Sequence, residues 1–408
     1  MLSVAEARKR LLDALPLCEV ETTPLLQASL RVLADAVSAN VDSPRFDNSS
    51  MDGFALRAVD IESASAANPV RLTVIGDVPA GIAFNGSIKA GQAVRIMTGA
   101  AMPPGADAVV PVEDTDAPVA LAGVALPREV EVRRALKLGD FVRPAGQDFH
   151  NGDELLGAGS RLRPQDLALL AMLGMGDIKA YRKPRVAILS SGNELLPVGQ
   201  SLSPGKIYET NSYALTALVE SCGAEPILVG IAQDDLQDVI AHLDRAVDAG
   251  ADVILTSAGV SVGAFDYLRE AVMSQGELDF WKVNMRPGRP FAFGTYRQIP
   301  YIGLPGNPAS AFVGFEVFVR PGLQKMAGVK NWVRQILKGR LLENVNSDGR
   351  ESYLRIQINR QNESPEILLT GHQGSGNLYS LVRADGLMVV PAGVTECPVG
   401  SQMEVWPL

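Results

Sequence analysis

The sequence predicts a multidomain protein of α/β plus β class, in which a central doubly wound parallel sheet is preceded and followed by β-rich regions. Three observations carry this expectation. The chain has 408 residues, and at about 150 residues per ordinary domain it divides into about two to four units. Between 185 and 326, apolar runs alternate with helical stretches, the pattern of a parallel sheet covered on both faces. On either side of that segment, short alternating runs are broken by Gly and Pro, a β signature.

The elements follow in order. MLSVAEARKRLLDAL opens the chain as an amphipathic helix, and Glu6, Arg8, Lys9, Arg10 and Asp13 interrupt it too often for a secretory signal. A second helix is expected from Thr23-Pro24, a cap followed by proline at the first helical position, to about Val37. SPRFDNSSMDGFA is an extended linker. Runs at 71–75, 93–97 and 108–112 then form a small β-domain within 70–145. Helical periodicity returns at 164–173, and YRKP links onward. The strands VAIL, PILVGI, DVIL and YIGL alternate with helices, one starting at an Asn211 cap and one at an Asp234 cap and ending at Gly250. Beyond 331, YLRIQI, EILLT and GLMVV indicate a separate C-terminal β-domain.

Composition excludes several function classes. Hydrophobic residues make up 47% and charged residues 20%, the balance of a soluble globular protein. A formal charge of −9 argues against nucleic-acid binding, and it requires any anionic ligand to be drawn in by a local basic patch. Cys18, Cys222 and Cys397 are far apart and form no C-x-x-C pair, which points to a reducing compartment and away from disulfides or a zinc ribbon. No run of about 18 apolar residues occurs, so no membrane span is expected. A cytoplasmic location follows. His150, His242 and His372 make no H-x-x-x-H pair, and phosphate-loop and dinucleotide motifs are absent from the sequence. An enzyme of this composition works with carboxylates, backbone amides and a hard metal.

In an open parallel sheet, ligands bind beyond the carboxyl ends of the strands. After VAIL comes SSGNELLPVG with Glu194; after PILVGI comes AQDD with Asp234 and Asp235; after DVIL comes TSAGVSVGAFD with Asp266; after YIGL comes PGNPAS. Taken singly, Asp234 is a helix N-cap and Asp266 a helix start, yet independent caps need not converge on one sheet edge. Two carboxylates about 4 Å apart repel by roughly 4 kcal/mol at an effective dielectric near 20. A cluster of them calls for protonation or a divalent cation, and oxygen ligands favour Mg²⁺ over zinc. WKVNMRPGRPFAFG supplies the opposite charge through Lys282, Arg286 and Arg289, as a solvated loop or as a cradle for an oxyanion. PGNPAS at a helix start adds backbone N–H donors for an anion. Together these point to a phosphorylated substrate and phosphoryl-type chemistry. Asp47 and Asp52 in DNSSMDGFA, and the segment RIMTGAAMPPGADAVV, are structural turns when taken alone.

In order along the chain, DNSSMDGFA, RIMTGAAMPPGADAVVPVEDT, RPAGQD, ILSSGNEL, IYETNSYAL, TSAGVSVGAFDY, MRPGRPFAFG, GLPGNPAS, GRESYLRI and GSGNLYSLVRADGLMVVP resemble the signatures of the MoeA and gephyrin E-domain family of molybdopterin molybdenumtransferases. The likeness runs from the first helix to Pro391. It implies Mg²⁺-dependent insertion of molybdate into adenylated molybdopterin with release of AMP, in an elongated homodimer that serves other cofactor-assembly proteins. Four parts are then expected: 1–45 with 146–180 as a discontinuous helical and linker domain, 46–145 as a β-rich domain, 181–328 as the molybdopterin-binding-like domain, and 329–408 as a β-barrel-like domain.

Carried over by resemblance, Glu194, Asp234 and Asp266 are metal or substrate-positioning carboxylates, with Asp148 and Thr98 as further members of the site. Asp52 is contributed by the second subunit. Lys282, Arg286 and Arg289 are cationic contacts to molybdate and phosphate. Ser257, Gly259 and Ser261 bind substrate, and Pro305, Gly306, Asn307 and Pro308 form part of the oxyanion pocket. The sequence departs from the family at Ala258, where glycine is common, at Arg286 and Arg289, where lysine is usual, and at Ala264, which replaces an acid and so removes it from any required metal set. Two other functions stay open at this point: adenylylation of molybdopterin by the 185–326 module, and a non-catalytic pterin-binding scaffold.

Overall fold

The computed structural model describes residues 1–118, 125–258, 267–330, 332–360 and 365–408. The chain forms two compact units. One comprises Met1–Asp35, Ala158–Ala171 and Met175–Leu408, and the other Ala36–Gly157 with Met172–Gly174.

The larger unit is built on a six-stranded sheet in the order Glu225–Ala232, Arg185–Ser191, Val253–Ser257, Ile299–Leu304, Pro290–Tyr296, Gly276–Lys282. The first four strands are parallel and coincide with the four expected apolar runs. Alternate residues of each strand feed opposite cores, because successive strand side chains point to opposite faces. Val186, Ile188, Val253 and Leu255 pack with Leu215 and Val219 of the helix Asn211–Ser221. Ala187, Leu189 and Ile254 pack instead with Val239, Leu243 and Ala246 of the helix Leu236–Asp248. Burial on both faces explains why these strands are continuously apolar rather than alternating.

The last two strands are an antiparallel extension that the strand pattern did not reveal. They enclose WKVNMRPGRPFAFG, so that stretch is two strands with a turn at 283–289 rather than one loop. The opening helix, Val4–Ala14, is capped by the Ser3 side chain and buries Val4, Ala7 and Leu11 along one stripe.

Three local expectations are corrected. No helix spans 23–37. Val20–Pro24 is a strand paired with Asp177–Tyr181, followed by a single tight turn and the short strand Val32–Leu33. The β-branched run Val20, Thr22, Thr23 favours extension, and a helix there would lack an apolar face, since Leu26 is 99% exposed and Leu30 takes a left-handed φ of 61°. The helix Leu236–Asp248 is capped by Asp235, whose carboxylate accepts from the Asp238 N–H, and not by Asp234. Asn211 is the first helical residue rather than the cap; the N–H of Ser212 is satisfied by Glu209.

The C-terminal part is a closed five-stranded barrel. Glu351–Asn359 pairs with Glu366–Leu369, then follow Leu337–Leu341, Gln402–Pro407 and Gly386–Val390, which pairs back with the first strand. Leu341, Ile356, Ile367, Met388 and Val405 fill it. The short strand Met285–Arg286 of the α/β part adds to Glu351 and Ser352, so the arginine-bearing turn is joined to the barrel through the backbone.

The second unit carries a five-stranded sheet in the order Ala108–Pro111, Gly53–Leu56, Gln92–Ile96, Val70–Val78, Glu129–Val132. The runs expected at 71–75, 93–97 and 108–112 fall on three of these strands. Gly53–Leu56, expected as the tail of a linker, instead lies between two of them and is fully buried. Gly53 permits that position: a Cβ there would lie 1.9 Å from the Val110 carbonyl oxygen.

Candidate active site

The carboxyl ends of the parallel strands open into a cavity of about 650 Å³, within the usual size for a small-molecule site. Each wall comes from a different strand end. After Arg185–Ser191, the turn at 192–194 brings Glu194 to the rim; Gly192, at φ 145°, leaves the room, since a Cβ there would sit 2.7 Å from Glu194 Oε2. Asp234, beyond the neighbouring strand Glu225–Ala232, is tied to the same turn: Asn193 N–H donates to Asp234 Oδ2 at 3.1 Å, and Asp234 N–H donates to Asn193 Oδ1 at 3.1 Å. Two exposed carboxylates, neither in an ion pair among the described residues, thus stand on adjoining strand ends.

The floor is polar and buried. Ser257, at the end of Val253–Ser257, shares a hydrogen bond with Ser190 at 2.9 Å. Ser190 donates to Glu209 Oε1 at 2.9 Å, and Glu209 also accepts from the Ser212 N–H and hydroxyl. Glu209 is 3% exposed, so its charge rests on these donors. Next to Ser257, Ala258 takes φ 89° with its N–H donating to the Leu304 carbonyl.

The opposite wall is cationic. Arg286, Arg289 and Arg350 all line the cavity. Asp348 holds Arg350 at 3.0 Å and lies 3.7 Å from Arg286, and the Arg350 guanidinium keeps the Asp348 carboxyl below its usual range. Arg289 makes no ion pair among the described residues. Lys282 is exposed at the end of its strand and is not among the residues lining this cavity.

Pro305, Gly306, Asn307 and Pro308 line the cavity beside Ser257. Asn211 Nδ2 donates to the Gly306 carbonyl at 2.8 Å, and Asn307 Nδ2 donates to Ser375 Oγ at 3.0 Å. The helix that begins at Pro308 does not offer its first-turn amides to a ligand, contrary to expectation. Proline has none, Ala309 N–H donates to the Ser375 carbonyl, and Ser310 and Ala311 N–H donate to the Asn307 carbonyl. The amides of the helix's first turn are therefore already satisfied within the protein.

Asp266, Gly259 and Ser261 lie outside the described residues, as does Ala264. Among the described residues, no three His, Cys, Asp or Glu side chains form a metal-binding group. Asp52, Thr98 and Asp148 belong to the second unit. There Asp52 Oδ1 accepts from both the N–H and hydroxyl of Thr98 at 2.7 Å, and those two donors hold its carboxyl below the usual range. Asp148 Oδ2 accepts from Ser43 at 3.2 Å, and Asp47 Oδ1 from the Ala145 N–H at 2.7 Å, which makes Asp47 a turn buttress. Glu209, Arg350, Gln373 and Ser375 line the cavity without having been singled out from sequence. Glu209, Arg350 and Ser375 lie inside the recognisable stretches IYETNSYAL, GRESYLRI and GSGNLYSLVRADGLMVVP; Gln373 carried no chemical signal beyond its neighbourhood.

Fold and site together define an α/β protein with an arginine-lined cleft at its strand ends and a fused β-barrel. Family models cover most of the chain: "MoeA N-terminal region (domain I and II)" matches residues 2–174, "Probable molybdopterin binding domain" matches 187–325, and "MoeA C-terminal region (domain IV)" matches 338–408. A protein of Nostoc sp. named molybdopterin molybdenumtransferase is 38% identical over 95% of this chain and 88% of its own length. Molybdopterin molybdenumtransferase 2 of Mycobacterium tuberculosis is 38% identical over the whole of both chains. The crystal structure of a molybdopterin biosynthesis MoeA protein from Pyrococcus horikoshii superimposes with a TM-score of 0.81 at 31% identity, covering all of both chains. The chain belongs to the MoeA family of molybdopterin molybdenumtransferases.

Proposed function

We propose that this enzyme of molybdenum cofactor biosynthesis inserts molybdate into adenylated molybdopterin in a Mg²⁺-dependent reaction that releases AMP. The observation that carries the reading is the division of one strand-end cavity into a carboxylate rim and an arginine wall. Arg286, Arg289 and Arg350 supply positive charge for the oxygens of molybdate and of the substrate's phosphates, and Arg289, in no ion pair among the described residues, offers a fork for bidentate contact, while Arg350 is already held by Asp348 and the Met285 carbonyl. Negative charge that builds on the departing AMP phosphate as the phosphoanhydride opens is met by cationic groups already in place, which is how a preorganised site lowers a barrier.

Glu194 and Asp234 fit a hard divalent cation: both are exposed oxygen ligands in no ion pair among the described residues, and Asp234 is tied to the Glu194 loop through Asn193. With Asp266 they would hold Mg²⁺, whose bound role is to neutralise charge on the phosphoanhydride. Ser257, Gly259 and Ser261, with 305–308, shape the pterin-nucleotide side. Lys282, outside the cavity lining, contributes positive charge from the strand that leads into the arginine-bearing turn. Asp52, with Thr98 and Asp148, completes the site from the second protomer of a homodimer, and the protein acts in the cytoplasm beside other cofactor-assembly proteins. Among the described residues, no helix is long and apolar enough to cross a membrane. Adenylylation by the central module alone is disfavoured because the family matches extend through 2–174 and 338–408 as well.

AMP release from adenylated molybdopterin, with and without molybdate, tests the reading. Molybdate-dependent release with formation of active cofactor supports it. Binding of the pterin nucleotide by folded dimer without any release overturns it in favour of a scaffold.

A further inference from the structure

One large polar group near the cavity has no role in the account above. Arg355, in the barrel strand Glu351–Asn359, is 0% exposed, and no acidic side chain pairs with it among the described residues. Its Nε donates to Ser380 Oγ at 3.0 Å and its Nη2 to the Gly374 carbonyl at 2.9 Å, while Nη1 is buried without a partner. Burial, and after it the charge of Arg286, push the guanidinium down to about 10. A cation kept in such a place without a counter-ion is costly, because desolvation is not offset by an opposite charge.

The same residue grips one turn from both main chain and side chain. Its N–H donates to Gln373 Oε1 at 2.9 Å, and its carbonyl accepts from Gln373 Nε2 at 3.1 Å and from the Thr370 N–H at 3.0 Å. Residues 373–375 line the cavity. Ser375 in turn accepts from the Asn307 side chain and from the Ala309 N–H. A continuous chain of hydrogen bonds therefore runs from Arg355 through the 373–375 turn to the loop at 305–308.

We propose that Arg355 is a positioning residue for an oxyanion subsite on this wall: it sets the 373–375 turn, and through Ser375 the Asn307 side chain, while its uncompensated charge selects a tetrahedral dianion. The inference rests on the reading of the cavity as a molybdate and pterin-nucleotide site. It predicts that loss of Arg355 weakens the small dianion more than the nucleotide, whereas a merely structural role would weaken both alike.

The test uses Arg355→Met, which removes charge and grip, Arg355→Lys, which keeps the charge, and Ser375→Ala, which cuts the link to Asn307 and takes one hydroxyl from the cavity wall. Molybdate binding is measured by calorimetry without pterin, alongside the half-saturating concentrations of molybdate and of adenylated molybdopterin for AMP release. Arg355→Met is expected to weaken molybdate roughly tenfold or more, the loss attending one charged hydrogen bond, with Arg355→Lys and Ser375→Ala intermediate. The half-saturating pterin concentration should move much less. If Arg355→Met does not fold, the other two variants decide. Unchanged molybdate binding in folded variants, or equal losses for both ligands, overturns the proposal, as does a wild-type protein that binds no molybdate. A wild type that binds molybdate yet releases no AMP refutes the functional reading alone, and the calorimetric comparison still decides the role of Arg355.

Discussion

Ala258→Gly separates the backbone demand of the cleft from its chemistry. Ala258 stands at φ 89°, in the left-handed region where an L-residue with a Cβ is strained by roughly 1–2 kcal/mol. Glycine removes that strain and returns about 0.4–1 kcal/mol to the unfolded chain as backbone freedom. The difference is a net gain of roughly 0.5–1 kcal/mol, a rise in melting temperature on the order of 1–3 °C. Ala258→Val, with a branched side chain at positive φ, should move the other way by more than about 1 kcal/mol. The methyl also constrains its neighbour, since a Cβ on Gly306 would lie 3.2 Å from the Ala258 Cβ. Gly306→Ala is therefore expected to be tolerated better in the Ala258→Gly background than alone, a non-additivity readable in a double-mutant cycle of urea midpoints. A melting temperature that falls on Ala258→Gly, or strict additivity in the cycle, refutes the strain argument.

Other outcomes follow from the same structure. Glu316, 3% exposed, pairs with Arg320 at 2.7 Å and Arg334 at 2.9 Å, so Glu316→Gln leaves two largely buried guanidinium groups unpaired. It should cost about 3–5 kcal/mol in chemical denaturation, and a loss under about 1 kcal/mol would contradict this. Gly53→Ala drives a Cβ against the Val110 carbonyl and should unfold the second unit, seen as loss of its cooperative transition. Asp52, Asp77 and Asp348 have carboxyls held below the ordinary value of 3.8 by Thr98, Arg95 and Arg350 respectively. Folded values lower than unfolded ones mean that this stability is present above the ordinary value and is lost as pH falls through the folded values. Melting temperature should therefore drop below about pH 4, and Asp52→Asn should flatten part of that dependence. Glu194→Gln and Asp234→Asn should each raise the Mg²⁺ concentration for half-maximal AMP release by roughly tenfold or more with the melting curve unchanged; unchanged Mg²⁺ dependence removes those residues from the metal's surroundings.

How far the sequence reaches depends on the physics behind each signal. The four parallel strands were legible because burial on two faces leaves an unbroken apolar run, as in VAIL and DVIL. The antiparallel pair 290–296 and 276–282 was not, since its alternation is interrupted by the charged residues that also make the turn at 283–289. The helix expected at 23–37 failed where a cap-and-proline signal competed with a β-branched run, and strand pairing with 177–181 prevailed. At the site, Glu194 and Asp234 were visible as strand-end carboxylates, and the structure ties their loops together through Asn193. The division of labour between Asp234 and Asp235 was not visible, because either acid precedes the same helix by a plausible spacing. Arg355 and Ser375 fall inside GRESYLRI and GSGNLYSLVRADGLMVVP, yet what they do was invisible for a different reason. The 373–375 turn lines the cavity, and Arg355 stands behind it, only because barrel strands far apart in sequence pair with one another.

The central claim is most directly tested by single-turnover AMP release from adenylated molybdopterin with Mg²⁺, comparing molybdate present with molybdate absent. Molybdate-dependent release, paired with conversion of the pterin to a form that activates an apo-molybdoenzyme, is the predicted result. Release that ignores molybdate, or none from a folded protein that binds both ligands, would contradict the account.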